Sequence, residues 1–153
     1  APHLGLVRAA LLHAIEGAAE RNIPYTTYER QSDSPAFQLQ IADAAMKIES
    51  AHLHAYRAAD DIDATAARGE YMPYETRARV RAEGGYIART VTEALNTLLS
   101  AHGAGSFADA NPMQRIWRDA NTAARHAFVL PPVCEEIYGK VLLGVKRNIT
   151  PLI

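Results

Sequence analysis

Asn111–Gly144, NPMQRIWRDANTAARHAFVLPPVCEEIYGKVLLG, is the stretch from which the fold is read. Asn111 before Pro112 is a helix start: the amide side chain caps free N–H groups, and proline at the first helical position gives up a donor that has no partner there. Met113, Ile116, Trp117, Ala120, Ala123 and Ala124 recur at three- and four-residue spacing, which predicts a helix with one apolar stripe. The Pro131-Pro132 pair forces a new segment. Beyond it Val133, Ile137, Val141 and Leu142 predict a second, shorter helix. His126 falls at the end of the first helix beside a rigid corner, where an imidazole can reach a neighbouring cavity. A single histidine near a helix C-terminus is more often a surface or capping residue, since a partly cationic ring is favoured there.

Upstream lies His102-Gly103-Ala104-Gly105-Ser106, a break whose glycines allow positive φ and close approach of main-chain N–H groups to an anion. It ends a helix predicted over Tyr74–His102. The second half of that helix carries Tyr86, Ile87, Val91, Ala94, Leu95, Leu98 and Leu99, while Arg77, Arg79, Arg81 and Glu83 in its first half read as a solvated charged face. Gly84-Gly85 in its middle costs roughly 1 kcal/mol per glycine relative to alanine and marks close approach of another helix or a ligand.

Ser34-Pro35 opens another helix, a hydroxyl cap followed by proline. Phe37, Ile41, Ala44, Ala45, Ile48, Ala51, Leu53 and Tyr56 give it an apolar face, and Arg68-Gly69 supplies a glycine for its left-handed end. His52 and His54, two apart, point to different faces of that helix and cannot chelate one metal. The first helix is predicted over Leu4–Arg21, with Leu4, Val7, Leu11, Leu12, Ile15 and Ala18 on one side, and Asn22-Ile23-Pro24 stops it. Tyr25 to Asp33 is a polar connector.

The 153 residues suffice for one domain with a proper core, and the net charge of -1 carries no footprint for nucleic acid or an anionic membrane. The single cysteine, Cys134, excludes an internal disulfide and reads as a small buried apolar residue; no paired Cys or His spacing suggests a metal site. No apolar run is long enough to cross a bilayer, and the N-terminus lacks a signal-peptide pattern, so a soluble, cytoplasmic protein is expected. Short turns between amphipathic helices make an all-α fold the expectation: an antiparallel four-helix bundle with an additional short C-terminal helix.

Pro112, Arg115, Arg118, Asp119 and Ala120, with Gly103-Ala104-Gly105-Ser106 before them, resemble the end of the C-terminal helical domain in the acyl-CoA dehydrogenase superfamily. Dehydrogenases of that superfamily continue with Tyr-Glu-Gly-Thr, whose glutamate removes the α-proton of an acyl thioester. Without gaps that Tyr-Glu pair falls on His126-Ala127, and alanine cannot take a proton. Trp117-Arg118-Asp119 followed by His126 instead resembles the two-component flavin-dependent monooxygenases that hydroxylate phenols and polyketide aromatics. A weaker likeness joins the first two helices: Arg21, then Phe37-Gln38 with Ile41-Ala42-Asp43. Ser106 stands where relatives carry a tyrosine.

The resemblance implies that residues 1–153 are the C-terminal helical bundle domain of a longer chain, with an N-terminal helical domain and a central β domain outside it. It implies an oxygenase component that takes reduced flavin (FMNH2 or FADH2) from a separate flavin reductase, uses O2 as co-substrate and hydroxylates a small aromatic substrate through a flavin C4a-hydroperoxide. His126 is then the catalytic residue. Arg21, Gln38, Gly103 and Gly105 are cofactor-binding, commonly toward the flavin of a partner subunit, and the assembly is a homotetramer. Two readings stay open beside it: an acyl-CoA dehydrogenase or related flavin oxidase with its base elsewhere, and a structural oligomerisation bundle.

Overall fold

The computed structural model describes Pro2–Ile153. Five α-helices carry the chain: α1 (Pro2–Glu16), α2 (Pro35–Ala67), α3 (Tyr74–His102), α4 (Pro112–Ala123) and α5 (Pro131–Leu142). Short 3-10 turns at Gln31–Asp33 and Ala104–Phe107 complete it, with no strand among the described residues. The bundle with a short C-terminal helix is therefore the observed architecture.

The caps read from sequence are in place. Ser34 Oγ accepts from Phe37 N–H, and Asn111 Oδ1 accepts from Met113 N–H at 3.0 Å. Gly69, just past the end of α2, adopts φ +66°. Helices α2 and α3 form an antiparallel hairpin whose register is written in its polar pairs. Asp43 meets Thr97, Ser50 meets Tyr86, Arg57 meets Glu83 and Asp61 meets Arg79.

Helix α3 is the hub, packing on α1, α2, α4 and α5. Val91, Ala94, Leu95 and Leu98 are fully buried there, joined by Val7 and Ala10 of α1, Ala44 and Ala51 of α2 and Met113 and Ala120 of α4. Small residues on the facing helices let the axes approach closely, and burying each large side chain contributes about 1.5–3 kcal/mol. Gly85 is where α5 comes nearest: a Cβ built on it would stand 2.7 Å from Cys134 Cβ and 3.2 Å from Pro131 Cα. That close approach is what the mid-helix glycine pair predicted, and it falls on Gly85 alone, since Gly84 meets only Val129 Cγ1 at 3.8 Å.

Three expectations are corrected. Helix α1 ends at Glu16 rather than Arg21. Gly17 leaves room for the chain to fold back, so the Arg21 guanidinium lies over it, with Cζ 2.4 Å from where a Cβ would be. Leu53 and Tyr56, assigned to the buried face of α2, are 70% and 65% exposed. The buried stripe instead follows Phe37, Ala44, Ile48 and Ala51, and Leu53 shares the outer face with Leu39 and Met46. The charged half of α3 is not simply solvated: Glu83 is 4% exposed, and its Oε1 accepts from Arg57 and from Arg79 at 3.0 Å. Arg79 spans to Asp61 as well, which holds its guanidinium more firmly protonated than usual. A carboxylate at the α2–α3 seam must be matched by cations or stay neutral, and Arg57 of α2 with Arg79 of α3 supplies the match.

Candidate functional site

The connector between α1 and α2 is a folded loop. Ile23 N–H donates to Tyr28 O at 3.2 Å, Gln31 N–H to Arg21 O at 2.7 Å, and Thr26 Oγ1 to Ile23 O at 2.8 Å. It stands against the C-terminal end of α3 and encloses a cleft of about 400 Å³. Thr26, Tyr28 and Gln31 line it from the loop, Phe37 and Gln40 from α2, and Ser100, His102 and Gly103 from α3. None of the wall residues is acidic.

Arg21 and His102 tie this end of the bundle together. Arg21 Nη1 lies 2.7 Å from His102 Nε2, its Nε donates to Gln31 Oε1 at 3.3 Å, and its Nη2 donates to Ala14 O at 3.3 Å. A guanidinium carries donors only, so Nε2 is the acceptor and the imidazole proton sits on Nδ1. Asn111 Nδ2, 3.2 Å from the same Nε2, is a second donor to it and also donates to Gly105 O at 3.1 Å. Burial, then the charge of Arg21, then His13 keep the His102 pKa below its ordinary value of 6.5. The ring also stacks on His13 at 5.9 Å.

The sequence-derived residues fall as follows. Arg21, Gly103 and Gly105 come together through His102 and Asn111. Gly103 adopts φ +89°, a conformation that strains any side chain. Gln38 is apart from them, exposed at the start of α2 with its Nε2 donating to Ser32 O at 2.9 Å; Gln40 is the glutamine on the cleft. His126 lies past the end of α4, in the turn before α5, and its ring is exposed. Its Nδ1 accepts from Phe128 N–H at 3.2 Å and its carbonyl accepts from Val129 N–H at 2.9 Å. Its neighbours Ala124 and Arg125 line one cleft and Phe128 and Val129 another, while His126 lines neither. Sequence reasoning missed His102 and the second role of Asn111. The one signal was position: His102 directly precedes the positive-φ glycine, so its side chain must sit at the mouth of the turn.

The residues around the cleft fit the phosphate part of a flavin nucleotide. Arg21 does not itself line the cleft but holds two residues that do, Gln31 and His102; three of its five guanidinium donors are committed within the chain, and two remain. Thr26 and Tyr28 add hydroxyls, and a neutral His102 adds no competing anion. No ionised carboxylate on the wall would repel the ligand.

The family model described as "Acyl-CoA dehydrogenase, C-terminal domain" matches residues 1–131. Among curated relatives, the oxygenase subunit HsaA of a flavin-dependent monooxygenase from Mycobacterium tuberculosis is 29% identical over 145 residues, covering 95% of this chain and 37% of the relative. The oxygenase component of p-hydroxyphenylacetate 3-hydroxylase from Acinetobacter baumannii is 30% identical over 112 residues, covering 73% of this chain and 26% of the relative. Among solved structures, XiaF from a Streptomyces species in complex with FADH2 and glycerol superposes with a TM-score of 0.95 at 41% identity, covering 99% of this chain and 38% of that one. This chain thus spans less than two-fifths of the length of these relatives. On a match that runs through most of its length and on the helical fold described above, the chain belongs to the acyl-CoA dehydrogenase C-terminal domain family.

Proposed function

We propose that this chain is the C-terminal helical bundle of a longer polypeptide, the oxygenase component of a two-component flavin-dependent monooxygenase acting on a small aromatic substrate. The observation that carries the reading is the donor set at the Gly103 turn, in a chain whose relatives are named as oxygenase components. Reduced flavin, when bound, supplies the electrons that activate dioxygen. Arg21, held by Gln31 and His102, offers its two remaining N–H groups to the cofactor's phosphate. Gly103 lets main chain approach that phosphate without a side chain in the way. A partner supplying the reduced flavin is a separate reductase, and the assembly is a homotetramer in which this end of the bundle reaches a neighbouring subunit's cofactor.

His126 takes the catalytic role in this reading. The Phe128 N–H donates to its Nδ1, which places any ring proton on Nε2, the nitrogen that points away from its own turn. An imidazole so fixed can donate a hydrogen bond from Nε2 beside the reacting oxygen. Its exposure in this domain leaves it available to the rest of the longer polypeptide.

The test uses the complete polypeptide with reduced flavin, oxygen and a phenol. His126→Ala should lower product formation by about 10²–10⁴-fold, the usual worth of a positioned acid or base, while flavin binding persists. Unchanged product formation removes the assignment of His126. Reduction of bound flavin by an acyl thioester would favour the dehydrogenase reading instead.

A further inference from the structure

On the other side of the α4–α5 turn, Ile62, Val80, Gly84, Val129 and Leu152 wall a mostly apolar groove of about 320 Å³. The only charged side chains on its wall are two arginines, Arg77 and Arg81. Arg77 is held within the chain: Nε donates to Met72 O at 3.0 Å, Nη1 donates to Tyr71 Oη at 3.2 Å and to Ile153 O, and the guanidinium lies 4.6 Å from the Tyr71 ring centre. Arg81 is different. Its guanidinium lies 3.4 Å from the centre of the Phe128 ring, and its Nε and Nη1 are buried without an oxygen or nitrogen acceptor among the described residues, with the weakly accepting Cys134 sulfur beside the group.

The neighbours do not neutralise it. Burial pushes the Cys134 thiol up by more than the adjacent Arg81 charge pulls it down, so the sulfur stays a thiol near neutrality. Glu83, two positions along the helix, accepts from Arg57 and Arg79. A buried guanidinium edge without an acceptor is costly, and a pocket that is apolar apart from convergent donors of one sign selects its ligand by charge and shape together.

We propose that this groove binds a small organic anion: a carboxylate on Arg81 with an apolar body lying against Val80 and Val129. Phe128, 54% exposed, is the movable side of the wall. Its rotation off the guanidinium opens Arg81 to a carboxylate, which pairs with N–H groups on one edge of the fork. The inference is independent of the flavin reading, since it uses none of Arg21, Gly103 or His126. It also carries a consequence for the turn, because Phe128 N–H is the donor to His126 Nδ1.

The probe is benzoate, with benzamide as its neutral counterpart, titrated into the complete polypeptide while the methyl signals of Val80, Val129 and Met72 are followed by NMR. Benzoate should bind saturably at these methyls and at least about tenfold more tightly than benzamide. Arg81→Gln should abolish that preference, and Arg81→Lys should retain part of it. Equal binding of the two probes, shifts confined to other methyls, or a preference that survives Arg81→Gln each overturns the proposal. Should Arg81→Gln fail to fold, the comparison of the two probes on the unmodified protein decides alone. A groove already filled by a carboxylate from another part of the polypeptide would show no benzoate binding, and that result also overturns it.

Discussion

Arg21 Nη1 and His102 Nε2 lie 2.7 Å apart across 81 residues of sequence, and this one contact joins the α1–α2 connector to the end of α3. Because arginine can only donate, the pairing exists with a neutral imidazole and is lost when His102 takes a second proton.

That requirement fixes a pH dependence. The folded His102 pKa lies below 6.5, with burial the largest cause, so the unfolded chain takes up a proton more readily than the fold does. The contribution is fully present above about pH 6.5 and is lost as the pH falls toward the depressed folded value. Thermal midpoints measured between about pH 7 and 5 should therefore drop on the acid side. His102→Gln, which keeps an acceptor for Arg21 and cannot titrate, should make that drop shallower. Some slope should remain, because burial also lowers the pKa of His3. An unaltered slope would mean that His102 titrates alike in the folded and the unfolded chain.

Gly85 makes a prediction of the opposite kind, about space rather than charge. A methyl group there meets Cys134 Cβ at 2.7 Å and Pro131 Cα at 3.2 Å, and neither can swing aside as a long side chain would. Gly85→Ala should destabilise the bundle by about 1–3 kcal/mol, the usual range for overpacking a well-packed contact, despite alanine's better helix propensity. Urea unfolding measures it. Gly84→Ala, with only Val129 Cγ1 at 3.8 Å, is the matched control and should be neutral or stabilising.

Which parts of this were legible in the chain follows from what each signal depends on. Ser34-Pro35 and Asn111-Pro112 act locally, so their helices start where the sequence says. The wheel positions of Val91, Leu95 and Leu98 decide burial because α3 is surrounded, whereas α2 and α1 show one face to solvent, and there Leu53, Leu12 and Ile15 are indistinguishable by type from core residues. Glu83 was misread for a related reason: its spacing to Arg79 lies within α3, but Arg57 reaches it from α2, and no spacing within one helix reveals a partner across a seam. The cleft was half legible. Arg21 and Gly103 were found by resemblance, but His102 joins them through a contact spanning just over half the chain. Gln38 and Gln40 differ only by which side of α2 faces the connector.

Arg21 also gives the sharpest test of the cofactor reading, provided its two roles are separated. It anchors the connector through Gln31, His102 and Ala14, so removing it loosens the cleft even if no phosphate ever touches it. Arg21→Met should weaken reduced-flavin binding by the complete polypeptide by about 10- to 100-fold, the worth of one or two charge-assisted hydrogen bonds. His102→Gln alters the same network without removing the cation, so loss of binding through loosening alone would appear in both variants. Loss through missing charge would appear only in Arg21→Met, and it would shrink as salt is raised, because screening weakens the contact in the unmodified protein toward the level of the variant. Binding by FADH2 and FMNH2 that is equal in the unmodified protein and in Arg21→Met would place the phosphate elsewhere and leave Arg21 as the tie between α1 and α3.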